Sequence, residues 1–252
     1  MFLNKIINNI KTIREIGFYE WVFFKYDIYK SKKGEMIGYI REETVKAKKE
    51  NIDLRELNLS KFKDDDIDYL NSISDTLLSF IGDNCYVVEI GTGCGLITLP
   101  LINKSKNLKK YDSYEPDRSL RHYLSKTFKD YKFFSNFKGN GSYLTDTKDK
   151  KVNLTFAFGV FSLIPIAQVV SYINESKRIL KSNGILAFDI FDTDSLSEKL
   201  IKKFILQASR NDSRPFISRN FLIRYMNIQG FELEKELRHA DDYILFLIFK
   251  KI

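Results

Sequence analysis

The stretch VVEIGTGCGLITL, residues 87–99, decides the fold, because an apolar run is followed directly by three glycines at alternate positions. A β-rich run that leads into Gly91, Gly93 and Gly95 predicts a strand, a tight loop and then a helix. Glycines let the backbone approach a ligand closely, and the first N–H groups of the helix point at that ligand. The stretch therefore predicts a binding site for a small polar molecule.

The spacing of these glycines excludes two common nucleotide sites. The dinucleotide fingerprint G-x-G-x-x-G fails because the sixth position counted from Gly91 is Leu96, and no G-x-x-x-x-G-K-[ST] sequence occurs. Glu89, two residues before the first glycine, would repel a pyrophosphate and attract a cation. Glu115 ends the β-rich segment KYDSYE, where a carboxylate can accept hydrogen bonds from ribose hydroxyls. The pattern predicts a ligand with a ribose and a positive group but without phosphate.

Strand-like and amphipathic segments alternate from about residue 67 to the end of the sequence. This order predicts an α/β fold with a doubly wound, mostly parallel seven-stranded sheet. FELEKEL (231–237) and YILFLIF (243–249) are joined by a linker that is too short for a crossover helix. We therefore expect the sheet to close with an antiparallel last strand, in one domain spanning residues 67–252.

Residues 1–66 are expected to form a separate N-terminal helical appendage. Their aromatic segment GFYEWVFFKYDIYK, residues 17–30, has two interpretations. It is either a lid that excludes water from the site or the face by which the appendage packs on the sheet domain.

Together these features resemble the class I S-adenosylmethionine (SAM)-dependent methyltransferases, which have a seven-stranded Rossmann-like fold. E-x-G-x-G-x-G at residues 89–95 matches the family's first motif, Glu115 matches its ribose-binding acid, and the closing hairpin matches its last strand pair. The resemblance covers about residues 67–252. It implies SAM as the cofactor and methyl transfer as the activity.

The resemblance also places residues around the cofactor. Asn140 stands near the position where the family has an acid that accepts from the adenine amino group, and Phe158 stands where the fourth strand meets the methionine moiety. For Phe158, plain core packing is an equal alternative. The expected cofactor-binding residues are Glu89, Gly91, Thr92, Gly93, Cys94, Gly95, Glu115, Asn140, Gly141, Ser142, Phe158 and Gly159.

Three residues are candidates for a catalytic base. His239 follows FELEKEL at the carboxyl end of a strand, on the side where open α/β sheets bind ligands, although a turn histidine is the simpler interpretation. Asp189 and Asp192 end the segment ILAFDIFD and would face the same side. Either could act as a base, bind a metal or cap the next helix. No clustered ligand set supports a metal site, so none is predicted.

The acceptor is expected to be a small polar metabolite. The fourth-strand segment FGVFSLIP lacks the Asn- or Asp-Pro-Pro-aromatic motif of enzymes that methylate nucleobase amines, and resembles small-molecule methyltransferases instead. We expect O-methylation of a sugar or of a phosphorylated or carboxylated intermediate. By analogy with bacterial enzymes of this layout, surface-glycan decoration is one setting. Candidate acceptor-binding residues are Tyr39, Arg41, Arg214 and Arg219.

The formal charge of +8 raises an alternative, an rRNA or tRNA methyltransferase. The excess is local, since residues 104–151 carry 13 basic and 6 acidic side chains. Because aromatic and arginine residues are not interleaved there, we do not expect a nucleic-acid partner. Two cysteines, no secretory signal and no long apolar run predict a cytoplasmic protein without a membrane span. The sequence does not indicate an oligomeric state.

Overall fold

In a computed structural model of the chain, the structure describes residues 38–202 and 217–252. The aromatic segment at residues 17–30 and the candidate Arg214 lie outside this part. Within the described residues, three helices precede the first strand, and they are α1 (Gly38–Glu50), α2 (Leu54–Leu59) and α3 (Asp64–Ser79). In the described residues, no helix has the length and apolar character that crossing a membrane requires.

Seven strands form one sheet, in the order β3-β2-β1-β4-β5-β7-β6. Neighbours pair in parallel from β3 to β5, whereas β7 runs antiparallel to both β5 and β6. This confirms the predicted fold class, including the antiparallel last strand. The strands are β1 (Cys85–Ile90), β2 (Leu108–Glu115), β3 (Phe134–Lys138), β4 (Val152–Ala157), β5 (Leu180–Phe191), β6 (Phe231–Arg238) and β7 (Ile244–Lys251).

Helices cover both faces of the sheet, so each strand buries alternate side chains in two cores. On β1, Val88 and Ile90 join one cluster, while Cys85 and Val87 join the cluster on the other face. The strand period of two explains this division. The further helices are α4 (Thr98–Lys104), α5 (Arg118–Thr127), α6 (Ile166–Ile179) and α7 (Arg219–Ile228), with a 3₁₀ turn at Thr193–Ser195.

Strand β5 is longer than the sequence indicates. The segment KSNG, residues 181–184, consists largely of residue types that are common in turns, yet it lies within β5, which begins at Leu180. The pairing with β4 shifts register between Val152 and Leu154, and Asn183 adopts a positive φ of 62° there. An irregularity of this kind lets turn-type residues continue a strand.

The helices α1 and α2 pack against the loop that follows β1. Ala47, Leu54 and Leu57 are buried together with Cys94 and Leu120 in a small third cluster. Asp53 caps α2 by accepting from the backbone N–H groups of the first turn. The division of the chain at residue 66 stays a prediction.

Candidate active site

A cavity of about 420 Å³ opens at the carboxyl ends of β1, β2 and β4. Its volume falls in the range of about 300–1,000 Å³ that is usual for small-molecule sites. Its position is the one where open α/β sheets bind ligands. Nine of the twelve predicted cofactor residues line it, namely Glu89, Gly91, Thr92, Gly93, Cys94, Glu115, Gly141, Phe158 and Gly159.

The glycine loop is held closely between the end of β2 and the loop that follows β4. The Gly91 N–H donates to the Tyr114 carbonyl over 2.7 Å, and Gly91 has a φ of 71°. A Cβ at this position would lie 2.3 Å from Cγ2 of Val160. At Gly93, by contrast, a Cβ would meet no atom within 4 Å and would occupy cavity space. Packing therefore requires the first glycine, whereas the second leaves room for a ligand.

Glu89 is a buried carboxyl at the inner end of the loop, with 3% of its surface exposed. Its Oε2 accepts from the Thr98 hydroxyl and from the Tyr111 hydroxyl, each over 2.6 Å. Burial raises the pKa of Glu89 to about 7, and the nearby Glu115 carboxylate acts in the same direction. A cation entering the cavity would relieve this cost.

Glu115 is equally buried, at the end of β2. Its Oε2 accepts from the Gly93 N–H and its Oε1 from the Asp117 N–H, each over 2.8 Å. Burial raises its pKa to about 7, although these backbone N–H groups favour the charged form. Because the carboxylate is fixed in orientation, it presents its remaining lone pairs to the cavity at a constant place.

The loop after β3 places Gly141 in the cavity lining, but not Asn140 or Ser142. The Asn140 side chain is exposed, and its Oδ1 accepts from the Ser142 and Tyr143 N–H groups. Its amide oxygen therefore serves a local turn. Tyr172 of α6, which the sequence analysis did not select, lines the cavity beside this loop.

Phe158 and Gly159 line the cavity at the end of β4. Asp189 of the neighbouring strand β5 holds their loop by hydrogen bonds. Its Oδ1 accepts from the Gly159 N–H over 2.7 Å and its Oδ2 from the Ser162 hydroxyl over 2.6 Å. Burial raises the pKa of Asp189. Both oxygens are used in holding the loop, and the residue is not part of the cavity lining.

The two other predicted bases lie outside the cavity. Asp192 is almost fully buried and accepts from the Asp194 N–H, the Ser195 hydroxyl and the Arg219 N–H, so it acts as the cap that the sequence also allowed. His239 has 7% of its surface exposed, and its Nε2 lies 3.1 Å from Oδ1 of Asp66. Helix α3 covers its ring, and His239 is not part of the cavity lining. Its role as a catalytic base stays a prediction.

The predicted acceptor-binding residues are not brought together in the part of the chain that the structure describes. Arg219 pairs with Glu236, with 2.7 Å between its Nε and the Oε2 of the glutamate, and it does not line the cavity. Tyr39 and Arg41 lie on α1, where their side chains are not described. Arg219 therefore forms an ion pair between α7 and β6 in this structure, and its role in acceptor binding stays a prediction.

The first helices also contribute to the cavity, although no motif of the sequence indicated this. Four side chains of residues 43–62 line it, and none belongs to the resemblance. Helical spacing is the signal that was present, because Leu54 and Asn58 are four residues apart and share one face of α2. The four residues are Glu43, Leu54, Asn58 and Phe62. Most of the remaining lining is apolar and includes Leu96, Leu120, Val160, Leu163 and Ile164.

The residues present fit SAM in chemical character. Glu115 provides a fixed acceptor for ribose hydroxyls, and the buried carboxyl of Glu89 suits a positive group. Gly93 and Gly159 leave open space beside the backbone. In the described residues the lining holds no cationic side chain that would select a phosphate.

Solved structures match the fold at low sequence identity. A protein assigned as a sarcosine dimethylglycine methyltransferase from Galdieria sulphuraria has a TM-score of 0.59 at 12% identity, over 79% of this chain and 88% of that one. The methyltransferase in complex with the Trm112 activator of Haloferax volcanii has a TM-score of 0.58 at 14% identity, over 72% and 88%.

A geranyl diphosphate C-methyltransferase from Streptomyces coelicolor, solved with S-adenosylhomocysteine, has a TM-score of 0.57 at 10% identity, over 72% of this chain and 76% of that one. No protein-family model and no curated protein match the sequence. At these identities the likeness is one of fold. The chain has the seven-stranded, Rossmann-like fold of the class I SAM-dependent methyltransferases.

Proposed function

We propose that the protein is a SAM-dependent methyltransferase that acts on a small-molecule acceptor. The observation that carries this proposal is the pair of buried carboxyls, Glu89 and Glu115, set on either side of the glycine loop in one cavity. Burying two acids costs free energy unless a ligand that is positively charged and rich in hydroxyls offsets it. SAM, with its sulfonium, ammonium and ribose groups, is such a ligand.

The chain's residues bind and orient the cofactor. Glu115 accepts from the ribose hydroxyls, and Glu89 with the loop at Gly91 and Gly93 holds the methionine end. Phe158 and Gly159 close the space beside the sulfur. When bound, SAM supplies a methyl group on a sulfonium, and the electron pair of the broken C–S bond returns to sulfur. Alignment and exclusion of water then contribute much of the barrier reduction.

The acceptor class follows from the shape of the cavity and from its lining. A space of about 420 Å³ shared with SAM leaves room for a small molecule or for one end of a larger one. We expect transfer to a hydroxyl of a small polar metabolite. A phosphate or carboxylate on this acceptor would require Arg41 or Arg214, because no described arginine lines the cavity.

The first experiment is isothermal titration of the full chain with SAM and with S-adenosylhomocysteine. Micromolar binding of both is expected, and an absence of heat at high micromolar concentration of either ligand would refute the proposal. Adenosine triphosphate is the control, because the acidic lining should reject its phosphates.

Transfer of a radioactive methyl group from SAM distinguishes the proposed function from the alternative, an RNA methyltransferase. The protein is incubated with methyl-tritiated SAM and either total RNA or a panel of sugars, polyols and phenols. We expect label in a small molecule. Label entering RNA, with binding that weakens steeply with salt, would favour the basic segment at residues 104–151 as an RNA contact.

A further inference from the structure

The charged side chains in the described lining of the cavity are all acidic. Its described lining contains three carboxyl side chains, Glu43, Glu89 and Glu115, and no lysine, arginine or histidine. Glu89 and Glu115 are taken up by the cofactor in the proposed function. Glu43 has no role in binding the cofactor in that proposal. Only 7% of its surface is exposed, and it lies on α1 rather than in the sheet domain.

The packing of α1 and α2 gives the position of Glu43 relative to the glycine loop. Ala47 and Leu54 lie with Cys94 of the glycine loop and with Leu120 of α5. Glu43 precedes Ala47 by four residues, which is about one helical turn or 5.4 Å along the same face of α1. Glu43 therefore lies about one helical turn from this cluster, and its side chain lines the same cavity.

The ion pair between Glu43 and Lys61 locates the Glu43 carboxylate more closely within the fold. Lys61 Nζ donates to Glu43 Oε1. The next residue, Phe62, lines the cavity. Phe62 packs against the same hydrophobic core as Leu96 and Phe158. Of these two residues, Phe158 is the one that the resemblance places at the methionine moiety, whereas Leu96 also packs against the cluster of Cys94 and Leu120. The lysine itself is partly exposed, with 36% of its side chain accessible, and is not part of the lining.

We infer that Glu43 is an acceptor-binding residue, which accepts a hydrogen bond from the N–H or O–H group that receives the methyl. The inference rests on the proposed function. A carboxylate at this end selects an acceptor that is neutral or cationic at its reactive atom, since a phosphate or carboxylate there would be repelled. Glu43 orients the acceptor's lone pair toward the methyl carbon and is a positioning residue.

The probe for this inference is sinefungin, a SAM analogue that carries an amine where SAM carries its reactive methyl. Its amine occupies the transfer point and tests for an anionic group there without knowledge of the acceptor. We expect Glu43→Gln to weaken sinefungin binding about tenfold, with S-adenosylhomocysteine affinity changed less than threefold. Glu50→Gln, the same change at an exposed position of α1, should alter neither.

A second variant should change sinefungin affinity in the opposite direction. Lys61→Met removes the competing cation, so sinefungin should bind at least threefold more tightly, while S-adenosylhomocysteine is again unaffected. If Glu43 and Lys61 only stabilise the helices, both variants should weaken both ligands by the same factor, and thermal unfolding of each variant records that loss.

The outcomes separate the two proposals. If wild-type protein does not bind S-adenosylhomocysteine, the methyltransferase proposal itself falls. If it binds, and the ratio of sinefungin to S-adenosylhomocysteine affinity is unchanged in Glu43→Gln, only the role of Glu43 is overturned.

Discussion

At the residue scale, Glu115 gives the most direct test of the cofactor site. Its two oxygens are held by the Gly93 and Asp117 N–H groups, so its orientation does not depend on a bound ligand. Glu115→Ala should weaken SAM binding by about 1.5–3 kcal/mol, because charge-assisted bonds to the ribose lose their acceptor. Titration calorimetry measures this, with the exposed Glu232→Ala as control. Unchanged affinity would place the ribose elsewhere.

Gly91 tests the packing of the glycine loop. Alanine there combines a strained φ of 71° with a methyl 2.3 Å from Val160, so we expect S-adenosylhomocysteine affinity to fall more than tenfold. The control is Gly230→Ala, which has a similar φ of 83° but open space around its Cβ. That variant should lose about 1–2 kcal/mol of stability with affinity retained. Equal affinity losses in both variants would exclude the close contact as the cause.

At the scale of elements, Asp189 connects β5 to the loop after β4. Asp189→Ala leaves the Gly159 N–H and the Ser162 hydroxyl without their acceptor, which should cost about 1–3 kcal/mol of stability and displace the loop. S-adenosylhomocysteine affinity should fall about tenfold. A base acting on the acceptor would instead lower kcat without changing cofactor affinity.

Asp192→Ala is the matched control for Asp189, since it ends the same strand but caps a 3₁₀ turn. We expect it to lower stability by about 0.5–2 kcal/mol and to leave cofactor affinity unchanged. Weaker cofactor binding in this variant alone would contradict the assignment of the two aspartates.

The elements themselves were predictable because their signals are local. The apolar run before Gly91, the alternation of strands and helices, and the short linker between β6 and β7 each predict structure without knowledge of distant contacts. The position of His239 was not predictable in this way. The end of β6 was placed correctly, but Asp66 and Tyr69 of α3 cover it, and they are about 170 residues away in sequence.

At the scale of the whole molecule, the residues proposed to bind the cofactor could be predicted from one contiguous motif and from the segments that follow three other strands. The contribution of Glu43, Asn58 and Phe62 to the cavity lining could not be predicted, because they reach the cavity only through the packing of α1 and α2 on the glycine loop. Arg219 has a partner that the sequence did not indicate. Its residue type suits an anionic acceptor, but its partner Glu236 lies on β6 and is reached only in the folded chain.

The last prediction concerns the dependence of stability on pH. Burial raises the pKa of both Glu89 and Glu115 from the ordinary value of 4.5 to about 7. The folded protein therefore binds more protons than the unfolded chain between these values. Their contribution to stability is complete below pH 4.5 and is lost as the pH rises through about 7. Asp189, whose pKa burial also raises, acts in the same direction.

We expect the Tm of the ligand-free protein to fall between pH 5 and pH 8, and to fall less in the double variant Glu89→Gln, Glu115→Gln. Gln keeps the shape and the acceptor oxygen but does not ionise, so the difference between the two curves isolates these carboxyls. Saturating SAM should reverse the trend for the wild type alone, because its cationic groups favour the ionised pair. Parallel curves for wild type and variant would show that the two carboxyls do not titrate in this range.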